Sequence, residues 1–217
     1  MMVTDKVLKD EVMRELEWDP KIDASHIGVT ANGGAVTLTG HVRSYTEKML
    51  AVKAAERVSG VKAVADELEV KLPSSDVRND AEIAEMVART LRWHTLLPDT
   101  IEAEVRNGVV TLKGEVEWSY QRQTAERGVR DITGVRSVIN LIAVKPRVKA
   151  DDVKRRIADT IKRNAALDAT AIHVQTTNGT VHLEGTVHSL WEKRMAEQAA
   201  ASAPGVKEVD NDLAVVI

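Results

Sequence analysis

The chain has 217 residues, no cysteine, and 30 basic against 33 acidic side chains, a net charge of −3. Without cysteine there can be no disulfide, thiolate metal site, cysteine nucleophile or lipoprotein anchor, and the near balance of charge gives no part of the chain the basic excess of a nucleic-acid binder. The N-terminus turns charged at Asp5 and no run of 18 apolar residues occurs, so neither a signal peptide nor a membrane-spanning helix is expected, and the sequence as written points to the cytoplasm.

The first predicted element is a helix with Val7, Leu8, Val12 and Leu16 at helical spacing, stopped near Trp18-Asp19-Pro20 because proline cannot continue a helix. Ile27 and Val29 begin a strand that turns back at Asn32-Gly33-Gly34-Ala35. Pairing Asn32 with Ala35 sets Val29 opposite Leu38 and places the apolar residues on one face. Ser44 and Glu47 have the spacing of a capping box, and open a second helix through Leu50, Ala51, Ala54, Ala55 and Val58 to a stop at Gly60. Val61, Val64, Leu68 and Val70 predict a third strand, returning by a right-handed parallel crossover.

The same order follows twice more. Ile83, Val87 and Leu91 mark a helix before Pro98. Ile101, Ala103 and Val105 lead into Asn107-Gly108, a strong hairpin signal whose register sets Ala103 opposite Leu112. In the second helix Gly128 stands where the other copies have Ala54 and Ala199, which implies a small residue where helix meets sheet. A short linker, Lys145 to Ala150, leads to Ile157 and Ile161 on a helix, Asn178-Gly179 in a hairpin, and Ala196, Ala199, Ala200 and Ala203 on a second helix. Val206, Val209, Leu213 and Val215 supply the last strand.

The strand segments Val36-Thr37-Leu38-Thr39-Gly40-His41-Val42, Val110-Thr111-Leu112-Lys113-Gly114-Glu115-Val116 and Val181-His182-Leu183-Glu184-Gly185-Thr186-Val187 are copies of one motif. Twenty residues after Gly40, Gly114 and Gly185 come Gly60, Gly134 and Gly205, each followed by valine, with Asp66, Asn140 and Asn211 six residues further on. A fixed spacing inside each copy makes this a three-domain array over 1–73, 77–145 and 150–217. The pattern resembles the BON domain, named for bacterial OsmY and nodulation proteins. That resemblance implies an α+β fold of three tandem αββαβ units, each a small three-stranded mixed sheet with two helices on one face. It also implies a non-enzymatic role in osmotic-stress protection at the cell envelope and a periplasmic address, with phospholipid, other envelope proteins or copies of the same chain as partners and no cofactor.

Titratable residues sit mainly on helix faces and strand exteriors, and the copies share no histidine position, so no catalytic site is expected. The hairpin register of the third copy brings His173 opposite Glu184 and Gln175 opposite His182, but a flat sheet face makes a poor cage and no metal is expected there. The six aromatic residues are tryptophan and tyrosine, which suit places where one end is apolar and the other wet. Trp18 and Trp93 end the first helices, while Tyr45, Trp118, Tyr120 and Trp191 cluster where the second strand meets the second helix. Some of these are expected to mark a lipid or partner surface; the alternative is that they plug the ends of the small cores or the seams between repeats. Arg155 and Arg156, with Lys154, Lys162 and Arg163, flank the first helix of the third copy, where anionic headgroups could dock.

Overall fold

The computed structural model describes residues 4–145, 171–177, 179–203 and 206–216. The expectations for the linker after Lys145, the first helix of the third copy with Arg155 and Arg156, Asn178 and Gly205 lie outside the described residues.

In the first unit α1 (Asp5–Trp18) is started by Thr4, whose hydroxyl accepts from the Val7 N–H, and it buries Leu8, Val12 and Leu16 one turn apart. Val7 falls off that stripe and faces solvent. Strands β1 (Ile27–Asn32) and β2 (Ala35–Val42) pair antiparallel in the expected register, Asn32 with Ala35 and Val29 with Leu38. After α2 (Tyr45–Arg57) the chain returns as β3 (Ala63–Val70), parallel to β2, so the sheet order is β1-β2-β3 with the repeated motif at its centre. Both helices pack on one face of this sheet around Val29, Val36, Leu38, Val42 and Leu68.

The second unit runs α3 (Asp80–Trp93), β4 (Glu102–Arg106), β5 (Val109–Lys113), β6 (Glu115–Val116), α4 (Ser119–Arg130), β7 (Ser137–Asn140) and β8 (Ala143–Val144). Here the long central and returning strands are interrupted, and β6 and β8 continue β5 and β7 as a separate pair. Hydrogen bonds from Leu141 N–H to Leu112 O (2.8 Å) and Ala143 N–H to Gly114 O (2.9 Å) carry the ladder across the break. In the third unit β9 (Ile172–Thr177), β10 (Thr180–Val187) and β11 (Glu208–Val215) form the same three-stranded sheet, ordered β11-β10-β9, with α5 (Leu190–Ala201) connecting β10 to β11. His173 faces Glu184 and Gln175 faces His182, as the register requires.

The repeated glycine has a steric cause. Gly40, Gly114 and Gly185 have φ of 106°, 125° and 129°. A β-carbon there would lie 2.1, 2.2 and 1.9 Å from the carbonyl oxygens of His26, Thr100 and Ala171, just ahead of the first strand. The residue six after the second glycine is equally explicable. Asn140 and Asn211 donate to the Arg122 and Lys193 carbonyls of the second helix, at 3.0 Å in each case, and their own Oδ1 atoms accept from Ile142 and Leu213 N–H. Asp66 accepts from Leu68 N–H and meets Lys48 Nζ at 3.2 Å instead. One side chain thus pins the returning strand to the helix that precedes it.

Two local expectations need correction. Ser44 caps α2 through the Glu47 N–H, but the Glu47 carboxylate passes over the cap and accepts from Arg43 and Asp23 N–H, both at 2.7 Å, tying the helix start to the loop before β1. Gly128 serves the packing of helix on helix: a β-carbon there would come within 3.3 Å of His94 and 3.4 Å of Thr90, at the end of α3, so its small size lets α3 and α4 approach.

Candidate functional site

The aromatic residues divide by environment. Trp18 and Trp93 occupy the same place, the last residue of α1 and of α3, and are 86% and 81% exposed. Leu96, also exposed, follows Trp93 closely. Trp118 and Trp191 are half-buried at the starts of α4 and α5, and Trp118 touches Tyr120 with ring centroids 6.4 Å apart. Trp118 replaces the capping serine of the other copies, so Gln121 takes over: its Oε1 accepts from the Glu117 and Trp118 N–H groups at 3.1 and 3.0 Å. Tyr45 is different again. It belongs to the first unit by sequence but is 8% exposed and joins the buried core of the second, the cluster that holds Ile83, Val110 and Val116. Burial pushes its phenol up, and its hydroxyl lies against the Val138 backbone.

Tyr45 is one of several contacts through which the second helices hold the units together. Leu190 of α5 packs on the first core, and α2 packs on α5. Thr46 Oγ1 donates to Asp131 Oδ1 at 2.6 Å, and Gln198 Nε2 donates to Gln123 Oε1 at 3.4 Å. Arg194 of α5 pairs with Glu56 of α2, whose side chain is 3% exposed and whose Oε2 has no hydrogen-bond partner. Burial pushes the Glu56 carboxyl above its ordinary range, opposed by Arg194 and then Lys53.

Between these helices an open cleft of about 840 Å³ is lined from all three units. The sequence reading missed it, although a signal was present. Positions nine, thirteen and sixteen after Gly40, Gly114 and Gly185 hold Met49, Gln123 and Arg194, then Lys53, Arg127 and Gln198, then Glu56, Arg130 and Ala201. Those spacings form a second helical face, turned away from each unit's own sheet, and it carries four bases against one acid.

The histidine-bearing sheet face of the third unit offers less. His182 Nδ1 is 3.1 Å from Asp210 Oδ2 on the neighbouring strand, and among the described residues no three His, Asp or Glu side chains gather closely enough to hold a metal ion. Nor is any helix among the described residues long and apolar enough to cross a membrane.

Comparison with known proteins agrees with this architecture. The BON domain matches residues 4–71, 79–146 and 149–217. Osmotically-inducible protein Y of Escherichia coli (strain K12) is 34% identical over 145 residues, spanning 62% of this chain and 72% of that protein. Among solved structures, the C-terminal domain of CdsD, a structural protein of the type III secretion system of Chlamydia trachomatis, covers 99% of this chain and 100% of its own at 16% identity. The TM-score of that match is 0.27. The three matches leave little of the chain unassigned: the chain belongs to the BON-domain family, with three such domains in tandem.

Proposed function

We propose that this protein is a non-catalytic binding protein of the osmotic-stress type that associates with the phospholipid surface of the cell envelope. The observation that carries this reading is the pair Trp18 and Trp93, two tryptophans left in water at the same position of two units. An indole has an apolar body and one N–H donor, a combination suited to the headgroup boundary. The name of the similar osmotically-inducible protein Y supplies the physiological setting.

Half-burying one indole, about 100 Å², gains on the order of 2 kcal/mol at ~25 cal/mol per Å². Two give about 4 kcal/mol, or millimolar binding, so residence on a surface depends on joining several weak contacts in one chain. The net charge of −3 opposes approach to an anionic bilayer, so attraction has to come from local groups of bases.

Co-sedimentation with neutral and anionic vesicles at low and near-physiological salt tests this reading. Binding that drops at least tenfold in Trp18→Ala/Trp93→Ala, with an unchanged melting midpoint, is the expected result. Absence of binding at any salt refutes it. A second reading, assembly with copies of the chain or with other proteins, is favoured by Ile139 and Leu141, which are exposed on and just beyond the edge strand β7. Mass that rises with concentration in plain buffer, and falls back in Leu141→Lys, would move the function there.

A further inference from the structure

Six basic side chains drawn from all three units line the central cleft: Lys53, Arg122, Arg127, Arg130, Arg194 and Lys207. Its acids are fewer and partly engaged. Glu126 and Glu197 accept from Asn140 and Asn211 of their own units, at 3.0 and 3.3 Å, and Glu208 is the third. Arg194 is taken by Glu56, and Arg130 Nε lies 3.6 Å from Asp131 Oδ1 without a hydrogen bond. Among the described residues, Lys53, Arg122, Arg127 and Lys207 hold no side-chain hydrogen bond or close ion pair.

Part of this pattern has an ordinary cause. Arg127 and Arg130 stand in the last turn of α4, where cations complement the carboxyl end of the helix by about 0.3–1 kcal/mol each. That does not explain why a lysine from another unit is brought up to them. Desolvation, then the charges of Arg130 and Arg194, hold the Lys53 ammonium below the usual lysine range; Glu56 pulls the other way and Arg127 adds to the depression. Cations crowded at an inter-unit cleft repel one another, and an anion placed among them removes the repulsion.

We propose that this cleft binds a phosphate-bearing anion, held chiefly by Lys53 and Arg127 with Arg122 and Lys207 at its margins. Guanidinium groups present paired N–H donors that match phosphate oxygens, and about 840 Å³ is within the size range of small-molecule sites. The site needs no bilayer, so it stands apart from the membrane reading. Because it is assembled from all three units, its occupant would also brace the array.

The test titrates the full chain with sodium pyrophosphate against sodium chloride of equal ionic strength, following the thermal midpoint and backbone amide shifts. Saturating pyrophosphate is expected to raise the midpoint by about 5–10 °C. Lys53→Gln/Arg127→Gln is expected to weaken binding at least tenfold while the ligand-free midpoint moves by only about a few degrees, relieved repulsion offsetting the lost helix-end charge, whereas Lys113→Gln, a cation on the sheet of the second unit, leaves binding intact. Should the double variant fold poorly, Arg122→Gln alone carries the test, with a loss of at least threefold expected. Phosphatidylglycerol vesicles that displace pyrophosphate, where phosphatidylcholine vesicles do not, identify a lipid headgroup as the source; failure of both to displace it identifies a soluble phosphate. Trp18→Ala/Trp93→Ala is expected to leave pyrophosphate binding untouched, which separates this site from the membrane reading. No pyrophosphate-specific shift, or a shift that survives the cleft variants, overturns the proposal.

Discussion

The second helices carry two faces, and the three copies treat them in opposite ways. Toward their own sheets, α2, α4 and α5 present Ala51, Ala125 and Ala196, then Ala55, Val129 and Ala200, all fully buried. Toward one another they present Tyr45, Ser119 and Leu190 at the first turn and the unlike charged and polar residues that line the cleft. Small residues on the inner face let each helix lie close on its sheet, so one solution serves three times. Unlike residues on the outer face let each seam close differently, Tyr45 into the second core and Leu190 onto the first. The fold of a unit and the assembly of the array are therefore written on opposite sides of one helix.

Breaking what the copies share should cost most. Gly114→Ala places a methyl 2.2 Å from the Thr100 carbonyl oxygen at a φ of 125° that L-residues avoid, and relief requires the backbone before β4 to move. A loss of about 4 kcal/mol is expected in chemical denaturation, concentrated in the second unit. An equal loss spread over all three units, seen by hydrogen exchange, would mean that the units do not fold on local terms.

Breaking what differs should cost less and read out differently. Tyr45→Ser puts the residue of the second copy into the first and withdraws a ring from the core of the neighbouring unit. The expected loss is about 3 kcal/mol, with calorimetry showing the first and second units melting separately where they melted together. Tyr45→Phe should keep the coupling and lose about 1 kcal/mol, the share of the hydroxyl at Val138. A single unchanged transition in Tyr45→Ser would show that the seam contributes nothing to cooperativity.

The inner face was legible in the sequence because a period and a turn specify it. Asn32-Gly33-Gly34-Ala35 and Asn107-Gly108 fix the hairpin registers, and the alternation in the strand motif fixes which side is wet. The interruption at Gly114 was not legible, since the same glycine in β2 and β10 leaves the strand whole. The partner of Gly128 was misjudged because spacing shows that a residue must be small without showing what approaches it. The cleft escaped for a deeper reason: it belongs to no single unit. A lysine, an arginine and a glutamine at one repeat position look like solvated helix residues until three copies are set face to face. The aromatic residues were visible as unusual, yet only packing separates the buried Tyr45 from the exposed Trp18.

The seam between the first and third units supplies a sharper test. Arg194→Ala leaves the Glu56 carboxylate buried without its partner, and because Arg194 is itself half exposed the expected loss is about 2 kcal/mol, below the range for a fully buried pair. Glu56→Ala/Arg194→Ala should recover at least half of that loss in a double-mutant cycle. Additive losses would show that the pair is a crossing of two side chains with no coupling.

The smallest effect concerns the same carboxylate and depends on pH. Burial raises the Glu56 pKa in the folded chain above its ordinary value of 4.5, so between those two values the folded state holds a proton that the unfolded state has released. Its contribution is fully present below the ordinary value and is lost as pH rises through the raised one. The other resolved carboxylate shifts act in the opposite sense: Asp23, held down chiefly by its hydrogen bond from Ser25, and Glu104, held down by Lys113, both favour folding as pH rises through the acid range. Subtraction isolates Glu56. The stability of the wild-type chain minus that of Glu56→Gln, measured by urea denaturation at steps upward from pH 4, should fall with rising pH and level off once the folded carboxylate has ionised. A flat difference would place the proton elsewhere, and a rising one would mean that Arg194 outweighs burial and makes the outer face of α2 a true ion-pair seam.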